Sequence, residues 1–375
     1  MEDASSADSG LRRALEAFPE AEFVARAPGR ANLIGEHTDY NEGFVLPVAL
    51  DLATYIAGRR AGSLRLRSLN ESGDIEIDVT SGEGPERGWG RYATAVVRAL
   101  LEAGHHPTGF EGIVASDVPV GAGLSSSAAL EIALAVALAP DLRGLELARI
   151  CRRAENHFVG VACGLMDQLT ATAAVEGNAL LIDCRIYEVT PVPLPESLAV
   201  LVVDSGVSRD LASSAYNDRV RECRAAAREL GLNSLRDASE ADLERLESPI
   251  LRRRARHVLS ENRRVLDVAS ALGTGATSPL HDLFAESHQS YARDFDASSA
   301  AIDTLVDIAA GTDGVVAARL TGGGFGGCTV NLVDAIFAEN AAQSILREYR
   351  SRVGLRGRAW ITGAGPGAAL QPRQP

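Results

Sequence analysis

Three features of the chain predict an α+β architecture in two domains. Strand-like and helix-like stretches are mixed without a regular alternation of one strand with one helix, and no fixed-period repeat appears, so a doubly wound parallel sheet fits poorly. The 375 residues, at roughly 150 per domain, suit two domains. A proline-rich run, TPVPLPES, separates two strong strand candidates and reads as the boundary, giving units 1–196 and 197–375.

The elements follow in chain order. Residues 11–18 read as a short helix, and strand-like stretches follow at 22–26, 44–57, 64–69 and 74–79. WGRYATAVVRALLEAG is amphipathic with helical period and stops at Gly104. GFEGIVASDVPV is strand-like and leads through GAGLSSS into AALEIALAVALA, apolar nearly all round and therefore a buried helix. LELARICRRAENHFVG predicts a further helix ending near Gly160, and ALLIDC and LAVLVVDS predict strands. The second half opens with a helix over about 213–231, continues with charged helices to about 271, and has another at roughly 279–294. GVVAARLTGGGFGGCTVNLV reads as two strands flanking a glycine loop. A helix at about 336–350 and a last strand, GRAWIT, close the chain, and the ends MEDASSADSG and GAALQPRQP read as unstructured.

Composition excludes several functions. Apolar residues make up 46%, enough for full-size cores, and no apolar run approaches membrane-spanning length. The acidic N-terminus lacks the basic and apolar regions of a signal peptide, so a cytoplasmic protein without a membrane partner is expected. The formal charge of −13 opposes nucleic-acid binding. RRRAR at Arg252–Arg256, with acidic residues on both sides, reads as a solvated helix face. Five cysteines without a CxxC pair read as buried thiols. The chain contains no lysine; all 37 basic residues are arginine. A lysine-bearing P-loop, the strand lysine of protein kinases and Schiff-base chemistry are therefore impossible. Any phosphate must be held by backbone amides, hydroxyls, arginine or metal.

PVGAGLSSSAALE is the most informative loop. Gly121 and Gly123 let the backbone turn tightly and approach a ligand. Ser125, Ser126 and Ser127 then open a helix whose free amides and dipole suit an anion, and a hydroxyl can ligate Mg²⁺. A serine-capped helix after a glycine turn is the plain alternative. GGGFGG formally satisfies a dinucleotide pattern but precedes a strand, not a helix, so that reading fails. It remains either a close-packed turn or a loop buttressing a ligand site. GRANLIGEHTDYNEGFVLP crowds Arg30, Glu36, His37 and Asp39 between apolar runs, more ionisable groups than a turn needs.

Together and in this order, GRANLIGEHTDYNEGFVLP, PVGAGLSSSAALE and RLTGGGFGGCTVNL resemble the GHMP kinase superfamily. The first motif is similar to the galactokinase signature, and CGLMDQLTATAAVEGNALLIDCR and DSGVSRDLASSAYNDRVREC agree with it. The resemblance spans roughly residues 22–365, with Ala31 standing where a bulkier apolar residue is usual. It implies an N-terminal ribosomal-protein-S5-like domain, a C-terminal ferredoxin-like domain and an active site between them. It implies an ATP-dependent sugar 1-kinase acting on galactose, with a related monosaccharide such as N-acetylgalactosamine, or non-catalytic sugar sensing, as alternatives; apart from the resemblance, a monomer is expected.

Residue by residue, the resemblance makes Asp167 the acceptor of the hydroxyl proton and sets Arg30 beside it. Glu36, His37, Asp39, Gly164 and Tyr216 would bind the sugar, since a polyol needs side chains that pair with its hydroxyls. For His37 a satisfied structural histidine is the alternative. Gly121, Ala122, Gly123, Leu124, Ser125, Ser126 and Ser127 would wrap the ATP phosphates, and Trp89 would lie near the adenine. Ser127 and Glu155 would hold Mg²⁺, and GGGFGG would support the phosphate loop.

Overall fold

A computed structural model describes residues 9–161, 163–207 and 212–373, with nothing given for the side chains of residues 212–214. Residues 1–8 of the N-terminal stretch, and 208–211 of DSGVSRDLASSAYNDRVREC, lie outside the described residues.

Among the described residues, nine strands build one sheet and four build another. In the larger, β1 (Phe23–Asn32) pairs antiparallel with β3 (Pro47–Arg60), and β3 with β6 (Phe110–Ser116). Beyond β6 lie β4 (Leu64–Ser68), its one parallel partner, and β5 (Ile75–Ile77). A side branch holds the short β2 (Phe44–Val45), β7 (Asn178–Asp183) and β8 (Glu188–Pro193). The smaller sheet runs β10 (Val315–Thr321), β11 (Cys328–Asp334), β9 (Leu198–Asp204) and β12 (Arg358–Thr362), all antiparallel. The last strand, β13 (Ala369–Pro372), returns to the larger sheet and pairs with β1.

Helices Gly90–Glu102, Ser126–Leu138 and Gly144–Arg153 pack on the larger sheet around one core. Ser126–Leu138 is buried along most of its length, as its all-round apolarity predicts. Helices Ala212–Leu230, Pro249–Gly273, Leu280–Arg293, Ala300–Ala310 and Ala338–Val353 surround the smaller sheet. A further core joins the two sheets: Leu33, Leu46, Leu50 and Leu124 pack with Val200, Val202, Val265 and Val330. This shared core seats the loop after β1 and the loop before Ser126 against β9–β11.

The structure corrects three expectations and adds a strand to the segment read as the boundary. TPVPLPES is strand over its first half, as β8; its prolines are tolerated because β8 is an edge paired on one side only. GAALQPRQP is ordered over Ala369–Pro372, where it covers the free edge of β1. Ser9 and Gly10, at the end of the N-terminal stretch, start helix Ser9–Ala17 and are held by the Asp117 carboxylate at 2.5 and 2.8 Å. In RRRAR only Arg256 is exposed; Arg254 is buried, donating to Glu222 at 2.7 Å and stacking over Phe295. Helix Ala300–Ala310, capped by Ser299, is an addition to the elements read from the sequence.

Candidate active site

β1 continues past Arg30 into the turn that carries Glu36, His37 and Asp39. Thr38 organises this turn: its hydroxyl reaches the Gly35 and Phe44 carbonyls at 2.8 and 2.6 Å. His37 takes φ +61°, a costly conformation for a residue with a Cβ, and Asn41 Nδ2 holds its carbonyl at 2.8 Å. Helix Met166–Ala173 brings Asp167 in its first turn, and Gly164 precedes it.

These segments enclose a cavity of about 410 Å³. Arg30, Glu36, His37, Asp39, Gly164, Asp167 and Tyr216 all line it, so residues from three distant motifs share one space. The sequence reading missed other parts of the wall: Cys163, Met166, Asn217 and the Gly322–Gly324 backbone. The available signal was GGGFGG itself, whose first glycines face this cavity. A Cβ at Gly164 would sit 2.0 Å from Asp39 Oδ2, so only glycine leaves room for that carboxylate.

Arg30 and Asp167 form a bidentate pair, Nε to Oδ1 and Nη2 to Oδ2, both 2.7 Å. Each also touches the glycine–serine loop: Arg30 Nη1 donates to the Gly123 carbonyl at 2.7 Å, and Ser125 Oγ donates to Asp167 Oδ2 at 2.5 Å. Gly121 and Gly123 have φ +78° and +81°, and Ser125 takes +59°, so the loop folds back on the pair before the helix starts at Ser126. Ala122 and Leu124 are buried beneath it, and the thiol of Cys328, which directly follows the GGGFGG segment, donates to the Ala122 carbonyl at 2.9 Å.

Ser127 Oγ donates to Glu155 Oε1 at 2.9 Å. Glu155 lies in a π-helical turn, Ala154–Val159, that extends helix Gly144–Arg153; such turns reorient a side chain inside a helix. Its other oxygen is held by Gln168 Nε2 at 2.7 Å, and burial pushes its pKa up. A hydroxyl and a carboxylate in contact are hard oxygen donors that fit Mg²⁺, which keeps waters and substrate oxygens in its other positions. Among the described residues no group of three or more His, Cys, Asp or Glu is placed to hold a metal, so no all-protein cage competes with this pair.

Asp39 has its pKa pushed up to about 6, chiefly by burial and further by the nearby Asp167. His37 is driven down to about 3, chiefly by burial. Its ring nitrogens meet the Tyr40 and Tyr291 hydroxyls at 2.8 and 2.9 Å, and Tyr291 donates to the Gly322 carbonyl at 2.8 Å. The ring is therefore engaged within the protein, in line with the structural alternative, while Tyr216 packs against it. Trp89 sits elsewhere, half-buried on the first core at the start of helix Gly90–Glu102, donating to the Gly73 carbonyl at 3.1 Å.

Residues 15–60 match the galactokinase galactose-binding signature, and residues 91–175 the GHMP kinase N-terminal domain. A galactokinase from Roseiflexus sp. (strain RS-1) is 46% identical over 361 residues, covering 92% of each chain. The chain belongs to the galactokinase family. Galactokinase from Chloroflexus aggregans (strain MD-66 / DSM 9485) is 42% identical over 365 residues, 92% of this chain and 93% of that one. The solved galactokinase of Lactococcus lactis, complexed with galactose, has a TM-score of 0.87 at 29% identity, covering 95% of this chain and 97% of that chain. A mevalonate kinase, 18% identical with a TM-score of 0.63 over 91% of this chain and 98% of its own, shares the fold. Two α+β units in the GHMP kinase arrangement are thus common to galactokinases and more distant members.

Proposed function

We propose that this chain transfers the γ-phosphoryl group of ATP to the anomeric hydroxyl of galactose, giving galactose 1-phosphate and ADP. One observation carries the reading: the Arg30–Asp167 pair lines the sugar-sized cavity and simultaneously contacts the glycine–serine loop. A hydroxyl acceptor and a phosphate cradle are thereby adjacent, as in-line transfer requires.

In this reading Asp167 orients the anomeric hydroxyl and accepts its proton as the oxygen bonds to phosphorus and the bond to ADP breaks. Arg30 locks the Asp167 carboxylate in place and adds positive charge beside the transferring group. The amides at the start of helix Ser126–Leu138 receive phosphate oxygens. Ser127 and Glu155 would hold Mg²⁺, which supplies charge neutralisation on the phosphates. Glu36, Asp39 and Tyr216 present hydrogen-bonding groups to the ring hydroxyls, with Gly164 keeping the wall open; contact with His37 is through its place in the same wall. Trp89 is assigned to the adenine side on the family resemblance.

The same proposal includes a cytoplasmic monomer and a division near residue 196 into ribosomal-protein-S5-like and ferredoxin-like domains. The passage from β8, ending at Pro193, to β9, starting at Leu198, supports the division alone. Among the described residues no helix is long and apolar enough to cross a membrane.

The test is ADP release with ATP, Mg²⁺ and a sugar panel. Galactose is expected well above glucose and N-acetylgalactosamine. Equal rates across the panel overturn the substrate assignment, and no ADP release with any sugar overturns the catalytic one.

A further inference from the structure

Arg319 lies in β10 and is fully buried. Its Nη1 makes an ion pair with Glu36 Oε2 and donates to the Leu33 carbonyl at 3.1 Å. Its Nη2 lies 3.5 Å from Glu261 Oε1, on helix Pro249–Gly273. Glu261 is fully buried too. It pairs with Arg264 at 2.8 Å, and accepts from Ser287 Oγ at 2.7 Å and from the Gly35 amide at 3.1 Å. Two carboxylates and two guanidiniums thus form a closed, charge-balanced set beneath the cavity.

The partners of Glu36 are divided between its two oxygens. Oε1 accepts from the Gly322 amide at 3.1 Å and lies 3.4 Å from Thr321 Oγ1. Oε2 faces Arg319, whose guanidinium contacts it directly and whose charge and hydrogen bond both favour the carboxylate. Removing an arginine and a glutamate from water is costly, and an apolar pair of similar volume would pack this seam without that cost. Such a pair is therefore poor evidence of a device for stability. The distinctive thing Arg319 does is to fix a carboxylate whose residue lines the sugar cavity.

We propose that Arg319 is a positioning residue for sugar recognition: it holds Glu36 in a single acceptor orientation at the cavity wall, with Glu261 and Arg264 balancing its charge. This rests on the reading of Glu36 as a sugar ligand. Burial favours the neutral form of Glu36, as does the Glu261 charge; the Arg319 charge and the Gly322 amide oppose them. Without Arg319 the carboxyl would be free to rotate and to take a proton, turning an acceptor into a mixed donor and acceptor.

The experiment is steady-state kinetics and thermal melting on the full chain for wild type, Glu36→Gln, Arg319→Met, Arg319→Lys and the Glu36→Gln/Arg319→Met double variant. Arg319→Met should raise the galactose KM about tenfold or more while the ATP KM stays within about twofold. Arg319→Lys, which keeps the charge but not the fork, should fall between wild type and Arg319→Met. In the Glu36→Gln background, Arg319→Met should cost less than about threefold further in galactose KM, because the two act through one another. If Arg319→Met does not fold, Arg319→Lys with and without Glu36→Gln carries the same comparison. Equal shifts in both KM values, a fall in melting temperature alone, or penalties that multiply in the double variant overturn the proposal. An unchanged galactose KM in Glu36→Gln overturns the sugar-ligand reading and this inference with it. A raised KM there, with Arg319 variants like wild type, overturns this inference only.

Discussion

Asp39 and Gly164 face each other across the cavity wall at a distance that admits no methyl group. Gly164→Ala should therefore displace the carboxylate and raise the galactose KM about tenfold, with the ATP KM little changed; initial-rate kinetics in both substrates checks this. Burial holds the Asp39 pKa up at about 6. Its folded form binds a proton more tightly than the unfolded chain, whose value is the ordinary 3.8. The stability it contributes is present below that value and is lost as pH rises through about 6. Sugar recognition runs the opposite way: kcat/KM for galactose should rise as pH climbs through about 6 and the carboxylate forms, and Asp39→Asn should be low and flat there. Asp167→Asn should lower kcat by about 10²–10⁴ and leave nucleotide binding, read by calorimetry, nearly intact.

Several elements owe their place to partners far along the chain. β13 is four residues long and has little intrinsic propensity, yet it satisfies the exposed edge of β1. Ending the chain after Gly367 should lower the melting temperature by several degrees, with about 1–2 kcal/mol of stability lost. The galactose KM should stay unchanged, since β13 contributes nothing to the cavity wall. The π-helical turn at Ala154–Val159 shows the limit of periodicity: the pattern predicts helix to Gly160 and the chain obliges, but one widened turn sets where Glu155 points. Helix Ala300–Ala310 carried legible signals: Ser299 as cap, Ile302, Leu305, Val306 and Ala309 at helical spacing, and Gly311 after its end. β8 was hidden by prolines, which an edge strand tolerates as readily as the passage that follows it.

Between the sheets, the shared core fixes how the two halves meet. Leu33 is fully buried there, one turn of chain before Glu36. Leu33→Ala should cost about 2–5 kcal/mol, depending on how far the cavity collapses. Denaturant unfolding should show that loss in a single transition, because residues from both sheets share this core; two separated transitions would contradict the coupling. The same seam carries polar links, with Thr321 Oγ1 bonded to both the amide and the carbonyl of Asn32 at 3.2 and 2.8 Å. The cavity is thus walled by both halves, by Glu36 and Asp39 on one side and the Gly322–Gly324 backbone on the other.

Read from one end to the other, the chain already declared its class, its lysine-free phosphate chemistry and its motif order. Those depend on local residue types and spacing, which survive in a linear string. The Arg30–Asp167 pairing could be expected from the family resemblance, but its contacts to Gly123 and Ser125 could not. The contact of Arg319 with Glu36 was invisible, since Arg319 reads as one more arginine in a strand until β10 is laid beside the turn after β1. Pairings of this kind arise from how sheets and helices close in space, and hydrophobic period and turn chemistry carry no record of which distant charge a buried side chain will meet.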